Sequence, residues 1–454
     1  MELADIFPDS QAGFRPARGT RDNICILKWT INMILRENRE AVVAFIDYKA
    51  AFDTESQPFL DNALSCAGVS IKVRRIIQSI FRAASGCVRI GNSTSESFNI
   101  ARGVLQGDIF SPVAFIAGLW KIFSTHDTPG AGITVGTVPH QVTIRALEYA
   151  DDAGFLDEDV ATSSIRLSSV SRGSREEAAM IISVPKTKAM HIHHTTHVSE
   201  TTEDEILALD LPFKCPDCER PFPTKRGMKI HLARWCDGSR SQRSRKGSLA
   251  DKTVKLAKRK AEEDSRPHVT IEGEQIDNVH SFVYLGGKAQ CDGDNMADVQ
   301  HRMYIAQAAF SSLSKLWNDH RLPLSMKIRM YGTAVCSTLT HACESWDLTP
   351  DVAKSIIGFN SRCLHIITGK CYSETATNPD HNLLLRIRKR RLRYLGHVLR
   401  MEDQRLVKRT LLAYVNPTPP PGSLLDDCNG KSVDTLLDLA ADRKSWSSLV
   451  NNLF

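Results

Sequence analysis

The chain has 454 residues, of which 42% are hydrophobic and 24% charged, and its formal net charge is +6. This composition is typical of a soluble globular protein, and no apolar run reaches the roughly 18 residues that a membrane span needs. The start, MELADIFPDSQAGF, lacks the basic and apolar regions of a signal peptide. We therefore expect an intracellular protein of the nucleus or cytoplasm, without a membrane partner, whose cysteines are mostly reduced.

The first two hundred residues combine strand-like and helix-like runs. Over residues 41–200, short apolar stretches such as AVVAFIDY and QVTIRALEY alternate with helical stretches such as PFLDNALSCAGVSIKVRRIIQSIF. This alternation predicts an α+β domain. A polar insertion follows, and strand signals return over residues 267–290 at HVTIEG and SFVYLGG.

A helical region is predicted from residue 291 to about residue 400. Apolar residues recur there at steps of three or four, which predicts a helix that buries one stripe: Met296, Val299, Met303, Ala306, Phe310, Leu313 and Trp317. The C-terminal tail begins at residue 401, and we expect its part after the breaker run NPTPPPGS (416–423) to be short and loosely attached.

Two adjacent carboxylates lie between two apolar runs in EYADDAGF. Asp151 and Asp152 can serve one site only at the tip of a hairpin, where their charges repel unless a divalent cation neutralises them. Asp47 ends the apolar strand AVVAFI and could supply a third carboxylate. Mg²⁺ prefers such oxygen ligands, and two ions roughly 4 Å apart assist phosphoryl transfer. The alternative is that Asp47 caps a strand or helix and that the pair forms an ordinary turn.

The insertion holds a second candidate site, FKCPDCERPFPTKRGMKIHLARWC. Its C-x2-C-x12-H-x4-C spacing predicts a structural Zn²⁺ site in a small ββα finger over residues 205–240, with ligands Cys215, Cys218, His231 and Cys236. Such a finger could bind nucleic acid or dock on a protein.

Basic residues are grouped in two runs. The first run spans residues 239–260, mostly within the linker 241–266, and reads SRSQRSRKGSLADKTVKLAKRK. The second run spans residues 386–393 and reads RIRKRRLR. Such grouped cations favour a polyanionic partner. The alternative is that the first run is a solvated linker and the second a charged helix face.

Three stretches in a fixed order carry a family resemblance. FIDYKAAFD, ARGVLQGDIFSP and the Tyr-Ala-Asp-Asp stretch resemble the palm motifs of reverse transcriptases. The whole chain is similar to the non-LTR (LINE-type) retrotransposon group, from QAGFRPARGTRDNI through FVYLGG to RRLRYLGHVLRM.

The resemblance implies a right-hand polymerase fold that is truncated at its N-terminus. Its expected parts are partial fingers (1–40), palm (41–200), the C2HC zinc-finger insertion (205–240), a basic linker (241–266), the end of the palm with the primer grip (267–290), a helical thumb (291–400) and a C-terminal tail (401–454).

The resemblance also implies an RNA-directed DNA polymerase that uses an RNA template, a DNA primer and deoxynucleoside triphosphates. Asp47, Asp151 and Asp152 would hold two Mg²⁺ ions, and Lys186 would protonate or neutralise pyrophosphate. The alternative is a catalytically inactive, nucleic-acid-binding remnant of such an element. The oligomeric state stays open.

Other positions match substrate-binding residues of the family. Phe52 would exclude a 2′-hydroxyl, and the nucleotide site would also include Gln106, Gly107 and Tyr149. The primer grip would consist of Tyr284, Leu285 and Gly286.

Overall fold

The computed structural model describes residues 6–105, 107–194, 264–369, 382–416 and 418–452, together with two short strands at 213–214 and 221–222. The predicted α+β character is confirmed. The α-helices of the described residues are α1 Thr20–Arg36, α2 Ala51–Thr54, α3 Gln57–Cys66, α4 Ile71–Ala83, α5 Ser111–His126, α6 Val160–Ala178, α7 Asn295–Ser312, α8 Ser314–Trp317, α9 Leu324–Met330, α10 Ser337–Leu339, α11 Pro350–Thr368, α12 Leu383–Leu399, α13 Leu406–Val415, α14 Val433–Ala441 and α15 Arg443–Asn452.

The strands of the same residues are mostly short. They are β1 Ala41–Ile46, β2 Ser85–Gly86, β3 Arg89–Ile90, β4 Ser93–Thr94, β5 Phe98–Asn99, β6 Ile133–Val135, β7 Val142–Ile144, β8 Ala146–Tyr149, β9 Asp152–Asp157, β10 Lys188–Ile192, β11 Phe213–Lys214, β12 Pro221–Phe222, β13 Thr270–Ile271, β14 Glu274–Gln275, β15 Asp277–Asn278, β16 Ser281–Tyr284 and β17 Gly287–Gln290.

A five-stranded sheet in the order β15-β10-β1-β9-β8 forms the centre of the fold. β1 lies in the middle, all six of its residues are buried, and it pairs antiparallel with both β10 and β9. Alternate residues of a strand face opposite sides of a sheet. Val43 and Phe45 accordingly join one apolar core, and Val42, Ala44 and Ile46 join another.

One core is shared by α1, the sheet and the C-terminal helices. Trp29 of α1 is stacked on Tyr414 of α13, with ring centroids 5.7 Å apart. Trp446 of α15 and Leu436 of α14 belong to the same apolar core. The expectation that the part after residue 423 is loosely attached was wrong, because α14 and α15 bury their apolar faces on α12.

The helical region that begins at α7 has an apolar core of its own. Val299, Ala306, Phe310 and Trp317 are buried in it, which confirms the predicted helical stripe. Asp298 of α7 joins this region to α1, since its carboxylate lies 2.5 Å from Lys28 Nζ and accepts a hydrogen bond from Trp346 Nε1 at 2.8 Å.

The segment predicted as a zinc finger is described only at residues 213–214 and 221–222. β11 and β12 pair antiparallel, with Phe213 opposite Phe222 and Lys214 opposite Pro221. The four predicted zinc ligands lie outside the described residues. No helix of the part that is described has the length and apolarity to cross a bilayer.

Candidate active site

The sheet brings the three predicted carboxylates to one end. β1 and β9 run antiparallel with Ile46 opposite Ala153, so the next position, Asp47, faces Asp152. In the β8–β9 hairpin, Tyr149 pairs with Asp152, which leaves Ala150 and Asp151 as the turn. Paired strands lie about 5 Å apart, so the aspartates converge although about 100 residues separate them in the chain.

The aspartates influence one another electrostatically. Burial raises the pKa of Asp151, and the charge of Asp47 raises it further. The pKa of Asp152 is raised by burial and then by the charges of Asp151 and Asp47. A cation between these carboxylates would relieve their repulsion.

One carboxylate oxygen is left for a cation to bind. Asp47 Oδ1 is buried without a hydrogen-bond partner, and its neighbour is the ammonium of Lys186, 3.4 Å away. Within the described ranges, no group of three or more acidic, histidine or cysteine side chains is arranged so that it could hold a metal ion. The orphaned oxygen and the mutual repulsion nevertheless fit a divalent cation, which prefers carboxylate ligands.

A short backbone pairing holds Lys186 beside Asp47. Tyr48 and Ile182 form an antiparallel bridge, and the Ser183 amide donates to the Asp47 carbonyl at 2.7 Å. The Asp47 amide in turn donates to Thr187 Oγ1 at 3.3 Å. Lys186 itself is exposed, so its ammonium faces solvent in front of the carboxylates.

The turn that carries Asp151 is fixed by a segment near the N-terminus. Gln11 Oε1 accepts hydrogen bonds from the amides of Gly13 (2.8 Å) and Ala150 (3.0 Å). The Ala12 amide also donates to the Glu148 carbonyl at 2.8 Å. A side chain at Gly13 would place its Cβ 2.3 Å from the Ala150 nitrogen, so this close approach requires glycine.

Glu148 is a buried acid directly behind the turn. It accepts hydrogen bonds from Ser10 Oγ at 3.0 Å and Gln11 Nε2 at 3.4 Å, and burial raises its pKa to about 7. Asn23 of α1 donates to its carbonyl at 2.9 Å. These supporting roles were not predicted from the sequence, although Ser10 precedes the QAGFRPARGTRDNI motif and Gln11 and Asn23 lie within it.

Phe52 lies on α2, close to Asp47 in the chain, and its ring is held in place. It is stacked on Phe115 of α5 with centroids 4.0 Å apart, and its edge contacts Phe14. The Val104 amide donates to the Phe52 carbonyl at 2.8 Å. The loop that leads to the predicted nucleotide-binding residues is thereby attached to α2.

The other predicted nucleotide-binding residues have different surroundings. Gly107 is exposed with a φ of +91°, a left-handed conformation that favours glycine. Tyr149 is half-buried beside the turn, and Gln106 lies outside the described residues.

The predicted primer-grip residues form the hairpin between β16 and β17. Leu285 and Gly286 lie at its turn with φ values of +50° and +82°. The ring of Tyr284 is buried, and its hydroxyl donates to the Leu147 carbonyl of β8 at 2.9 Å. The Tyr284 hydroxyl thus braces β16 against the β8–β9 hairpin, while the turn at Leu285 and Gly286 is half-exposed.

A comparison with protein families assigns the chain. The model of the family described as "Reverse transcriptase (RNA-dependent DNA polymerase)" matches residues 1–284. The chain belongs to this reverse transcriptase family. All three aspartates, Phe52, Lys186 and the β16 strand fall within the matched residues.

Similar proteins include Pol polyproteins of retrotransposable elements. The reverse transcriptase chain is 30% identical over 161 residues to the "Retrovirus-related Pol polyprotein from type-1 retrotransposable element R2" of Popillia japonica, which covers 35% of this chain and 22% of that protein. It is 26% identical over 142 residues to the corresponding polyprotein of the type-2 element R2DM of Drosophila melanogaster, covering 31% of this chain and 13% of that protein. The chain thus spans about a fifth of the length of the first of these relatives.

Among solved structures, the chain aligns with telomerases in complex with a fragment of telomeric RNA. For the Candida albicans protein, the alignment covers 90% of this chain and 55% of that chain at 11% identity and a TM-score of 0.35. For the Candida tropicalis protein, the coverage is 89% and 53%, at 12% identity and a TM-score of 0.31.

Proposed function

We propose that this chain is an RNA-directed DNA polymerase of a non-LTR retrotransposon, which adds deoxynucleotides to a DNA primer on an RNA template. The observation that carries the proposal is the convergence of Asp47, Asp151 and Asp152 at one end of the central sheet. Membership of the reverse transcriptase family and the similarity to R2 Pol polyproteins support it.

We assign Asp47, Asp151 and Asp152 as the ligands of two Mg²⁺ ions. When bound, these ions would activate the primer 3′-hydroxyl and stabilise the charge of the leaving pyrophosphate. The residues fit this role because Asp47 Oδ1 has no hydrogen-bond partner and because the pKa values of the other two carboxyls are raised.

Lys186 is proposed to act on the leaving group. Its ammonium lies 3.4 Å from Asp47 Oδ1 and is mostly exposed. A cation that binds Asp47 would displace the ammonium from this ion pair, and its three N–H donors would then be available to pyrophosphate oxygens. Lys186 would thus donate a proton or neutralise charge at the departing phosphate.

The remaining substrate contacts surround the carboxylates. We assign Phe52 as the residue that excludes a 2′-hydroxyl, and Gln106, Gly107 and Tyr149 as neighbours of the incoming nucleotide. The backbone of Leu285 and Gly286 would contact the primer, while Tyr284 holds that hairpin against β8.

The sheet then corresponds to a palm over residues 41–200 and 267–290, preceded by fingers in 1–40 and followed by a thumb in 291–400. We also propose that Cys215, Cys218, His231 and Cys236 hold a structural Zn²⁺ ion within residues 205–240. The antiparallel pairing of β11 with β12 supports this, because a ββα finger begins with such a hairpin.

Primer extension tests the proposal. With Mg²⁺, deoxynucleotides and a DNA primer annealed to RNA, the wild-type chain should extend the primer, and Asp151→Asn should abolish extension but still shift the RNA on a gel. The matched control Asp434→Asn removes an exposed carboxylate of α14 and should extend normally. A wild-type chain that shifts RNA but adds no nucleotide would instead be the inactive remnant.

A further inference from the structure

A basic cavity lies far along the chain from the carboxylates, between α12 and α15. Its volume is about 400 Å³, and its polar lining residues are Arg393, His397, Arg400, Arg443, Ser447 and Asn451. We call it the arginine groove. All but Arg400 of these residues are exposed, so the cavity is open to solvent.

Helix packing builds the groove. Trp446 and Val450 of α15 are buried, and Trp446 Nε1 donates to the Leu392 carbonyl at 3.0 Å. A Cβ at Gly396 would lie 2.1 Å from Trp446 Nε1, so glycine permits this close packing of α15 on α12.

The same helix spacing places basic side chains together. Arg393, His397 and Arg400 are separated by four and three residues, and therefore share one face of α12. Arg443 faces them from the first turn of α15. One Nη atom of Arg400 donates to the Ala440 carbonyl at 3.3 Å, which keeps its guanidinium at the groove.

None of the described residues that line the groove is acidic, so no carboxylate among them balances these charges. Burial lowers the pKa of Arg400, and the like charge of Arg443 lowers it further. Burial also lowers the pKa of His397, with Arg21, Arg400 and Arg405 acting in the same direction and Asp22 opposing them. A bound anion would relieve this repulsion.

A further exposed arginine, Arg21, lies beside α12, and its guanidinium pairs with Glu344 at 3.2 Å. The guanidinium of Arg21 lies 5.5 Å from the centre of the Tyr394 ring on α12. Arg21 is two residues before Asn23, whose amide donates to the carbonyl of Glu148, behind the catalytic turn. A small free anion would need only the groove, whereas a polyanion could contact both positions.

We propose that the arginine groove binds the phosphate backbone of a nucleic-acid strand whose other part lies at the active site. Guanidinium groups bind phosphate oxygens in bidentate fashion, and the Ser447 hydroxyl and Asn451 amide add neutral donors that contact phosphates without reading bases. The proposal rests on the proposed function only in taking nucleic acid as the partner.

The test measures the salt dependence of binding to an unstructured uridine-rich RNA, with the full chain and without added Mg²⁺ or chelator. The triple variant R393Q/R400Q/R443Q is compared with K354Q/K431Q/K444Q, which removes three exposed lysines that do not line the groove. The groove variant should bind the RNA about tenfold or more weakly. The slope of its logarithmic binding constant against the logarithm of the salt concentration, called the salt slope, should fall in magnitude by about two, since each of the three phosphate contacts on a single strand contributes roughly 0.7. The lysine variant should keep the wild-type slope.

Other outcomes overturn the proposal. Equal slopes for the two triple variants would show general charge attraction, and competition by polyglutamate as strong as that by RNA would point to an acidic protein. Tripolyphosphate binding that depends on the groove, with RNA binding that does not, would make it a small-anion site. If the triple variant does not fold, the single variant Arg443→Gln should lower the slope by about 0.7, and an unchanged slope would refute the proposal.

This outcome is separable from catalysis. If the wild-type chain fails to extend a primer but the groove variant has a smaller salt slope than the wild type, the groove assignment holds and the polymerase proposal fails. If the wild-type chain extends the primer normally but the groove variant keeps the wild-type salt slope, the polymerase proposal holds and the groove assignment fails.

Discussion

The aromatic ring of Phe52 cannot move freely, because it is stacked on Phe115 at 4.0 Å. We predict that Phe52→Val opens space beside the sugar and raises ribonucleotide incorporation relative to deoxynucleotide incorporation by at least about tenfold. Single-nucleotide addition with each substrate measures the ratio. Phe98→Val, which shortens an exposed ring on β5, is the control. An unaltered sugar preference would remove Phe52 from this role.

Glu148 makes stability depend on pH. Burial favours its neutral acid, so its pKa is about 7 in the folded chain against an ordinary value of 4.5. The stabilisation is complete below 4.5 and is lost as the pH rises through about 7. The difference corresponds to about 3 kcal/mol.

Glu148→Gln should remove this part of the pH dependence, because the amide stays neutral. Urea unfolding at about pH 5 and about pH 8 should show the variant gaining stability over the wild type at the higher pH. Asp159→Asn, at the exposed N-terminus of α6, should not show this gain. The same pH dependence in Glu148→Gln and the wild type would contradict the assignment.

The sequence predicted the roles of some site residues and not those of others. Asp151 and Asp152 were evident because two like charges between apolar runs are costly without a partner. Glu148 has no such signal, since a single acid in a strand is ordinarily solvated. Its burial depends on Ser10 and Gln11, more than 130 residues earlier in the chain.

The contacts of residues 10–13 with β8 hold the turn at Ala150 and Asp151 in place. Gly13→Ala would place a methyl group 2.3 Å from the Ala150 nitrogen and push the segment away. We expect primer extension to fall by at least about tenfold, because small displacements of catalytic groups are costly. Gly19→Ala meets no atom within 4 Å and is the matched control. Equal activity of the two variants would show that these contacts are dispensable.

The zinc assignment makes a prediction for residues 213–237. Cys215→Ser, or a chelator, should release about one zinc equivalent and make this stretch more sensitive to protease. Cys66→Ser changes an exposed free cysteine of α3 and should do neither. Unchanged zinc content and protease resistance in Cys215→Ser would refute the assignment.

The strands and helices were predicted well where the apolar pattern decides them. The prediction of α7 follows from apolar residues at steps of three or four, and that of β1 from an uninterrupted run of six apolar residues. The direction of the Tyr284 side chain does not, because alternation along a strand cannot tell which face a distant element covers, and the Leu147 carbonyl it contacts is 137 residues away. The attachment of α14 and α15 was misjudged for a similar reason, since their apolar faces are covered by α12, an element that the breaker run separates from them.

The molecule as a whole is joined by contacts between distant parts of the chain. The first core contains residues of α1 together with residues of α15, and the ion pair of Lys28 with Asp298 links α1 to the helical region. Breaking a buried pair of this kind typically costs about 3–5 kcal/mol. The arrangement of helices around the active site therefore depends on α1, which also contributes Asn23 to the support of the turn.

Metal binding tests most directly whether the three aspartates form a shared cation site. Mn²⁺, which replaces Mg²⁺ and is visible by electron paramagnetic resonance, would be titrated into the chain with RNA template, a primer lacking its 3′-hydroxyl and the next deoxynucleotide. The wild type should bind about two more ions than Asp151→Asn. Equal numbers of bound ions in the two proteins would show that Asp151 does not share a cation site with Asp47 and Asp152.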